Sequence, residues 1–326
     1  MWTKPRMIPA QDCENLQICP PSEPGAVNGY RRTRHRGEDR PQNNRRARMP
    51  KFIDLPIGAG NTVPLEWHDE VESTNALMRE RFVAEETTFA PFHSIATGSQ
   101  TKGRGRLERE WVAPAGTSLA ISTYIEFSAD AARESIGWVP LAAGVALRDA
   151  LVELAPELAP KLTIKWPNDL LLDGKKLSGI LGEMLGVIDG GQKFACAVGV
   201  GVNLRTPEGG LPFDRAIALD TLGVEIEGMQ LAEAFVRQLA SRILPLSAAN
   251  GDAEASGLRP DLLLHCSTIG TDVRVMLPGD ADLIGRATGV NAQGNLEVRD
   301  THGEMHSINV GDIEHVRPVG DTREVE

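Results

Sequence analysis

The stretch Phe194-Ala195-Cys196-Ala197-Val198-Gly199-Val200-Gly201-Val202-Asn203 alternates with a period of two. Phe194, Cys196, Val198, Val200 and Val202 fall on one face of a strand, and Ala195, Ala197, Gly199 and Gly201 on the other. One face can pack into a core while the other is nearly bare backbone. Bare backbone in a strand marks a place where a ligand or a crossing helix comes close. The stretch therefore predicts a sheet with something seated on its glycine side.

Moving outward, strands are expected near Leu162–Trp166, Asp169–Leu172 and Ser178–Val187, and earlier at Glu66–Asp69, His93–Thr97 and Ser118–Ile125. Ser73 or Thr74 can cap a helix running to about Glu86. Val139, Ala143, Ala146, Leu147, Ala150, Leu151 and Leu154 draw an apolar stripe on a helix from about Trp138 to Leu154, with Pro140 tolerable in the first turn. Two more helices are expected near Gln230–Leu246 and Leu258–His265. After Ile269 the pattern changes to five short strands, with turns at Pro278-Gly279, Gln293-Gly294 and His302-Gly303. About fifty residues in five strands suit a small barrel.

The organisation expected is a disordered basic extension over 1–50, a catalytic unit over 51–267, a barrel over 268–320 and a tail over 321–326. The first fifty residues carry ten Lys/Arg against five Asp/Glu, whereas the remaining 276 carry a net charge of −16. So acidic a body does not hold a nucleic-acid backbone through its bulk surface, and a positive patch within it has to be local. Met49 stands at the change in composition, as an alternative start to Met1. Cys13, Cys19, Cys196 and Cys266 form no metal-ligand or disulfide spacing, so no metal site is expected. No apolar run reaches spanning length and the first thirty residues lack an apolar signal core, which makes the cytoplasm the expected compartment.

Two segments carry chemistry. From Gly98 to Trp111, Gly103-Arg104-Gly105-Arg106 places adaptable backbone beside fixed positive charge, followed by Arg109 and Trp111. Glycine lets main-chain N–H groups approach a ligand, and guanidinium forks match carboxylate and phosphate oxygens. This reads as a loop able to close over an anion. In Lys165-Trp166-Pro167-Asn168-Asp169, the lysine sits at a strand end before a turn, where its ammonium can be held in a cleft. Neither segment fits a P-loop or a dinucleotide fingerprint.

Taken in order, Glu72-Ser73-Thr74-Asn75, Gln100, Gly103 through Trp111, Lys165 through Asp169, and Gly199 through Asn203 resemble the biotin protein ligases. The similarity runs from about residue 65 to 318 and includes Gly311-Asp312-Ile313 in the barrel. It implies an α+β fold, a class II aminoacyl-tRNA synthetase-like mixed β-sheet with helices, followed by a small SH3-like β-barrel. It also implies a two-step reaction. Biotin and Mg2+-ATP give biotinyl-5′-AMP and pyrophosphate, and a lysine of a biotin carboxyl carrier protein then takes the biotinyl group.

By motif position, the resemblance implies that Ser73, Thr74, Asn75 and Gln100 bind biotin, and that Gly103, Arg104, Gly105 and Arg106 close over its carboxylate and the α-phosphate. Lys165, Arg106 and Arg104 are the implied catalytic cations; Arg106, Arg109, Trp111, Lys165 and Asn203 are the implied nucleotide contacts. A carboxylate attacking a phosphate brings like charges together, and these cations answer that need. Leu107-Glu108 departs from the glycine found between the arginines in some relatives, which puts the closing geometry in question. A lipoate ligase, a biotin-responsive repressor and a pure biotin-binding protein are the alternatives. Residues 1–50 lack the paired periodic helices of a helix-turn-helix, so neither operator-specific DNA binding nor a membrane partner is expected.

Overall fold

The computed structural model describes residues 49–58, 60–84, 89–277, 281–309 and 315–318. The extension over 1–48, the Gly311-Asp312-Ile313 motif, the tail and the side chain of Glu108 lie outside the described residues.

The strands are β1 (Lys51–Gly58), β2 (Asn61–His68), β3 (Ser94–Thr97), β4 (Gln100–Arg104), β5 (Glu110–Ala113), β6 (Ser118–Ser128), β7 (Leu162–Lys165), β8 (Asp169–Leu172), β9 (Lys175–Ile188), β10 (Lys193–Asn203), β11 (Asp272–Leu277), β12 (Ala281–Val290), β13 (Leu296–Asp300), β14 (Met305–Ile308) and β15 (His315–Pro318). The helices are α1 (Thr74–Val83), α2 (Ala129–Ser135), α3 (Val139–Leu154), α4 (Gly228–Ala248) and α5 (Leu258–His265). One eight-stranded sheet runs β1-β2-β3-β6-β10-β9-β8-β7, and it is mixed because β2 and β3 are parallel. β11 to β15 form a separate five-stranded antiparallel sheet in the order β14-β13-β12-β11-β15. The mixed sheet with helices, and a small β unit after it, is the fold class the sequence implies.

β10 lies at the centre of the large sheet, and its two faces separate as its alternation dictates. Cys196, Val198, Val200 and Val202 enter the main core with α3 and α4, whereas Ala195 and Ala197 join a smaller cluster around Met78 of α1. α3 is buried along most of its length because Ala, Leu and Val surround it and it is covered by the sheet and by α4. A fully buried Leu contributes about 1.5–3 kcal/mol through transfer from water, so this helix is a main source of stability. On the opposite face, Ser73 caps α1 by accepting from the Ala76 N–H at 3.3 Å.

The far end of α1 is fixed by a buried carboxylate. Glu66 of β2 accepts from Arg81 at 2.8 and 3.0 Å, shares 2.7 Å with His93 Nε2, and lies 3.2 Å from His68 Nε2. Burial pushes the Glu66 carboxyl up, but its hydrogen bonds to both histidines and to Arg81 outweigh it and hold it far below the ordinary carboxylate value.

The small β unit is joined to the large sheet through two tryptophans. Trp138 Nε1 donates to Ala292 O at 2.6 Å and Trp166 Nε1 donates to Gly294 O at 3.0 Å, both in the turn between β12 and β13. The Trp166 backbone N–H donates to Thr268 Oγ1 at 3.0 Å. Gly137 admits this turn: a Cβ there would stand 2.2 Å from Gln293 O. Both indoles are fully buried, and the acceptors satisfy N–H groups that would otherwise be stranded.

Three expectations change. The strand expected at Glu66–Asp69 is the end of a longer hairpin, β1–β2, and α2 is added before α3. The segment read as one loop from Gly98 to Trp111 is itself a hairpin: β4 pairs with β5, Gly103 opposite Trp111 and Arg104 opposite Glu110. Lysine, arginine and glycine hide such strands, since neither apolar alternation nor β-branched residues mark them.

Candidate active site

The glycine side of β10 is a floor of small residues. Gly199 lies between Ser122 of β6 and Leu181 of β9, and Gly201 between Ala120 and Gly179. Two side chains occupy it. A Cβ on Gly199 would stand 2.5 Å from Asn75 Oδ1, and one on Gly201 would stand 2.3 Å from the Trp111 ring. The bare face is thus covered both by the start of a helix and by the β4–β5 hairpin.

At the α1 end the polar groups are closely linked. Thr74 N–H donates to Gln100 Oε1 at 2.9 Å, and Ser122 Oγ lies 2.7 Å from Thr74 Oγ1 and 2.5 Å from Asn75 Oδ1. Asn75 Nδ2 donates to Glu183 Oε2 at 2.7 Å and to Leu181 O at 3.3 Å. Ser73, Thr74, Asn75, Gln100 and Ser122 are all buried. Gln100 folds across Gly103, where a Cβ would stand 2.3 Å from its Nε2, so that position accepts only glycine. Three of the groups expected to bind biotin, Thr74, Asn75 and Gln100, are therefore linked in one buried polar cluster with Ser122, Ser73 caps the adjoining helix, and Gly103 lies beside Gln100.

The other end is built of charge. Lys165 closes β7 and pairs in register with Asp169 at the start of β8; Trp166, Pro167 and Asn168 make the turn. Asn168 ties this hairpin to β9 by donating to Ile180 O at 2.9 Å. Asp169 Oδ1 stands 2.7 Å from Lys176 Nζ, at an angle outside that of a hydrogen bond. Burial holds the Arg106 guanidinium below its ordinary value, Asp169 pulls it up, and the like charge of Arg109 pushes it down. Arg106 thus reaches toward the Lys165–Asp169 hairpin. Arg104 and Arg109 are exposed.

Between the ends, Trp111 lies over Gly201 and comes within 3.3 Å of the Cβ position of Gly179. Its indole N–H is buried without a hydrogen-bond partner. Asn203, at the strand end, donates to Ile217 O at 3.1 Å and so fixes the segment beyond β10.

Sequence reading missed Ser122, Glu183, Asp169 and Lys176 as members of this site. Ser122 and Glu183 stand 47 and 108 positions from Asn75 in the chain, so neither partnership is local. Asp169 ends the quoted lysine motif and Lys176 follows it across the turn from β8 to β9, and their opposite charges were the available signal.

Residues 70–203 match the Biotin/lipoate A/B protein ligase family, and residues 268–316 match the Biotin protein ligase C terminal domain. The biotin–acetyl-CoA-carboxylase ligase of Mycobacterium tuberculosis is 35% identical over 219 residues, covering 67% of this chain and 77% of that protein. The bifunctional ligase/repressor BirA of Escherichia coli is 30% identical over 200 residues, covering 60% of this chain and 58% of that protein. The fold is shared with a biotin protein ligase from Aquifex aeolicus solved in complex with biotin and ATP, at a TM-score of 0.62 and 23% identity, covering 78% of this chain and 98% of that one. The mixed sheet bearing this pocket thus falls within the biotin/lipoate A/B protein ligase class, and the small β unit matches the C-terminal domain of the biotin protein ligases. Within that class, the chain belongs to the biotin protein ligase family.

Proposed function

We propose that this biotin protein ligase activates biotin with ATP to biotinyl-5′-AMP, releasing pyrophosphate, and passes the biotinyl group to a lysine of a biotin carboxyl carrier protein. The observation that carries the reading is the division of one floor into a neutral polar end and a cationic end. A cyclic urea has two N–H donors and a carbonyl acceptor, and Ser73, Thr74, Asn75 and Gln100 supply partners for it. The carboxylate of biotin would then point along the floor toward Lys165 and Arg106.

In the first step the biotin carboxylate attacks the α-phosphorus and pyrophosphate leaves. Lys165 and Arg106 offset the charge that accumulates on the shared oxygens, which lowers the barrier more than it tightens ground-state binding. Gly103 and Gly105 let the hairpin backbone approach, and Arg104 and Arg109 enter the site when the hairpin tip moves over the adenylate. Trp111 would shift from Gly201 to pack beside the nucleotide, and Asn203 holds the strand end where the nucleotide rests.

The donor set fits magnesium entering with the nucleotide, because Asp169 offers one carboxylate at the cationic end, where Mg2+ commonly binds through phosphates plus one or two carboxylates. When bound, the ion would screen the phosphate charges. No helix among the described residues is long and apolar enough to cross a membrane. In the second step the carrier lysine attacks the mixed anhydride and AMP leaves.

The test is transfer of labelled biotin to a purified carrier domain, with ATP omitted as control and lipoate as competitor. ATP-dependent labelling that lipoate does not suppress is expected. Biotin binding without pyrophosphate release would reduce the protein to a binding module, and lipoate-dependent exchange would move it to the other branch of the class.

A further inference from the structure

Hydrogen placement in the polar pocket can be worked out from its outer edge inward. Glu183 as a carboxylate and Leu181 O are acceptors only, so the Asn75 amide must turn Nδ2 toward them, at 2.7 and 3.3 Å. Asn75 Oδ1 then faces Ser122 Oγ at 2.5 Å and requires a hydrogen from it. Serine has one hydroxyl hydrogen, and Asn75 consumes it. Ser122 Oγ at 2.7 Å is then an acceptor toward Thr74 Oγ1 and lies closer to it than Gln100 Oε1 at 3.3 Å, so the shorter contact takes the hydrogen of Thr74. Gln100 Oε1 accepts from the Thr74 N–H at 2.9 Å. With its hydrogen turned into the protein, Thr74 Oγ1 keeps lone pairs for the pocket and no hydrogen to offer it.

From this geometry we infer that Glu183 is a positioning residue: acting through Asn75 and Ser122, it sets Thr74 Oγ1 as an acceptor for a ureido N–H of biotin. The inference rests on the reading of this pocket as the biotin site. Glu183 lies at the pocket's outer edge, where its other oxygen stands 3.4 Å from Arg79, and it acts at a distance of three side chains. Its contribution is direction: three neutral groups, Asn75, Ser122 and Thr74, that could point either way are given one polarity by one charge.

The test uses the full chain and biotin-dependent ATP–pyrophosphate exchange, reading the KM for biotin, the KM for ATP and kcat. Glutamine at 183 offers both a donor and an acceptor, so the strong bias on Asn75 is lost and only the longer 3.3 Å contact to Leu181 O still orients it. Glu183→Gln is expected to raise the biotin KM about fivefold, with kcat and the ATP KM changed less than about twofold. Ser122→Ala, which cuts the relay, is expected to raise the biotin KM by a similar factor. In that background Glu183→Gln should add nothing, because its route to Thr74 is gone. Arg79→Gln keeps the carboxylate and should leave the biotin KM within about twofold.

Four results would overturn the inference: no change in biotin KM with Glu183→Gln, an equal increase in the Ser122→Ala background, a parallel loss of kcat and ATP affinity, or the same shift from Arg79→Gln. If Glu183→Gln fails to fold, the Ser122→Ala and Arg79→Gln pair decides, since a purely structural role predicts no split between biotin and ATP. A parent chain without biotin-dependent exchange would instead overturn the functional reading.

Discussion

The two ends of the β10 floor are built on opposite principles. At Gly199 the space is filled by Asn75, whose amide is held from both sides by Ser122, Glu183 and Leu181 O. At Gly201, two residues along the same strand, the space is filled by Trp111, whose indole N–H has no partner and which rides on a hairpin. The tip of that hairpin contains Leu107 at φ 56°, a left-handed conformation that costs a non-glycine residue about 1–2 kcal/mol, with its side chain 56% exposed. One end is preorganised before any ligand arrives, and the other is only loosely held. A recognition pocket benefits from fixed donors and acceptors, and a lid benefits from low cost of movement.

The largest effect should come from the cationic side of the floor. Lys165→Ala is expected to lower biotin-dependent exchange on the order of a thousandfold with unchanged thermal stability, and near-normal exchange would remove Lys165 from the chemistry. The contrast itself is tested by one substitution made twice. Gly199→Ala should cost about 2–3 kcal/mol in denaturant unfolding, because Asn75 cannot retreat, whereas Gly201→Ala should cost less than about 1 kcal/mol because Trp111 can swing away. Equal losses would mean that both ends are equally rigid.

Arg106→Gly is next, and should speed release of biotinyl-AMP about tenfold while leaving biotin binding nearly intact, as read by trapping the adenylate in solution. The smallest effect on the pocket should come from the far end of α1. Glu66 has a folded value depressed below its ordinary 4.5, so its contribution is present above that pH and is lost as pH falls toward the folded value. Glu66→Gln should flatten the acid limb of the stability curve by about one proton, and an unchanged slope would assign acid sensitivity elsewhere.

Much of this architecture was readable where a local pattern carries the physics. The alternation in β10 separated its two faces, Ser73 marked the start of α1, and the step to short strands after Ile269 marked the second sheet. Ser73, Thr74 and Asn75 could be singled out together because they are adjacent in the chain. What was hidden depends on distance or on weak propensity. Ser122 is one small polar residue in an apolar strand, and its meaning comes from Thr74 and Asn75, 48 and 47 positions earlier. Glu66 reads as an ordinary strand-end carboxylate until His93 and Arg81 close around it. Pro56 and Pro64 obscured β1 and β2; β1 tolerates its proline as an edge strand, and Pro64, opposite Asp54, precedes the Leu65–His68 segment that pairs with β3.

The tryptophan contacts to the β12–β13 turn also place Lys165 in time. Trp166 follows Lys165 directly, yet its two hydrogen-bond acceptors come from residues 102 and 128 positions later in the chain. At ribosomal speeds of about 5–20 residues per second, that delay is on the order of ten seconds. Until the turn emerges, the strand end bearing Lys165 holds a buried indole N–H and a backbone N–H without acceptors, each at a cost of about 1–3 kcal/mol. The residues of the polar pocket and its β10 floor, 73–203, are therefore all made well before the turn that fixes the strand end bearing Lys165.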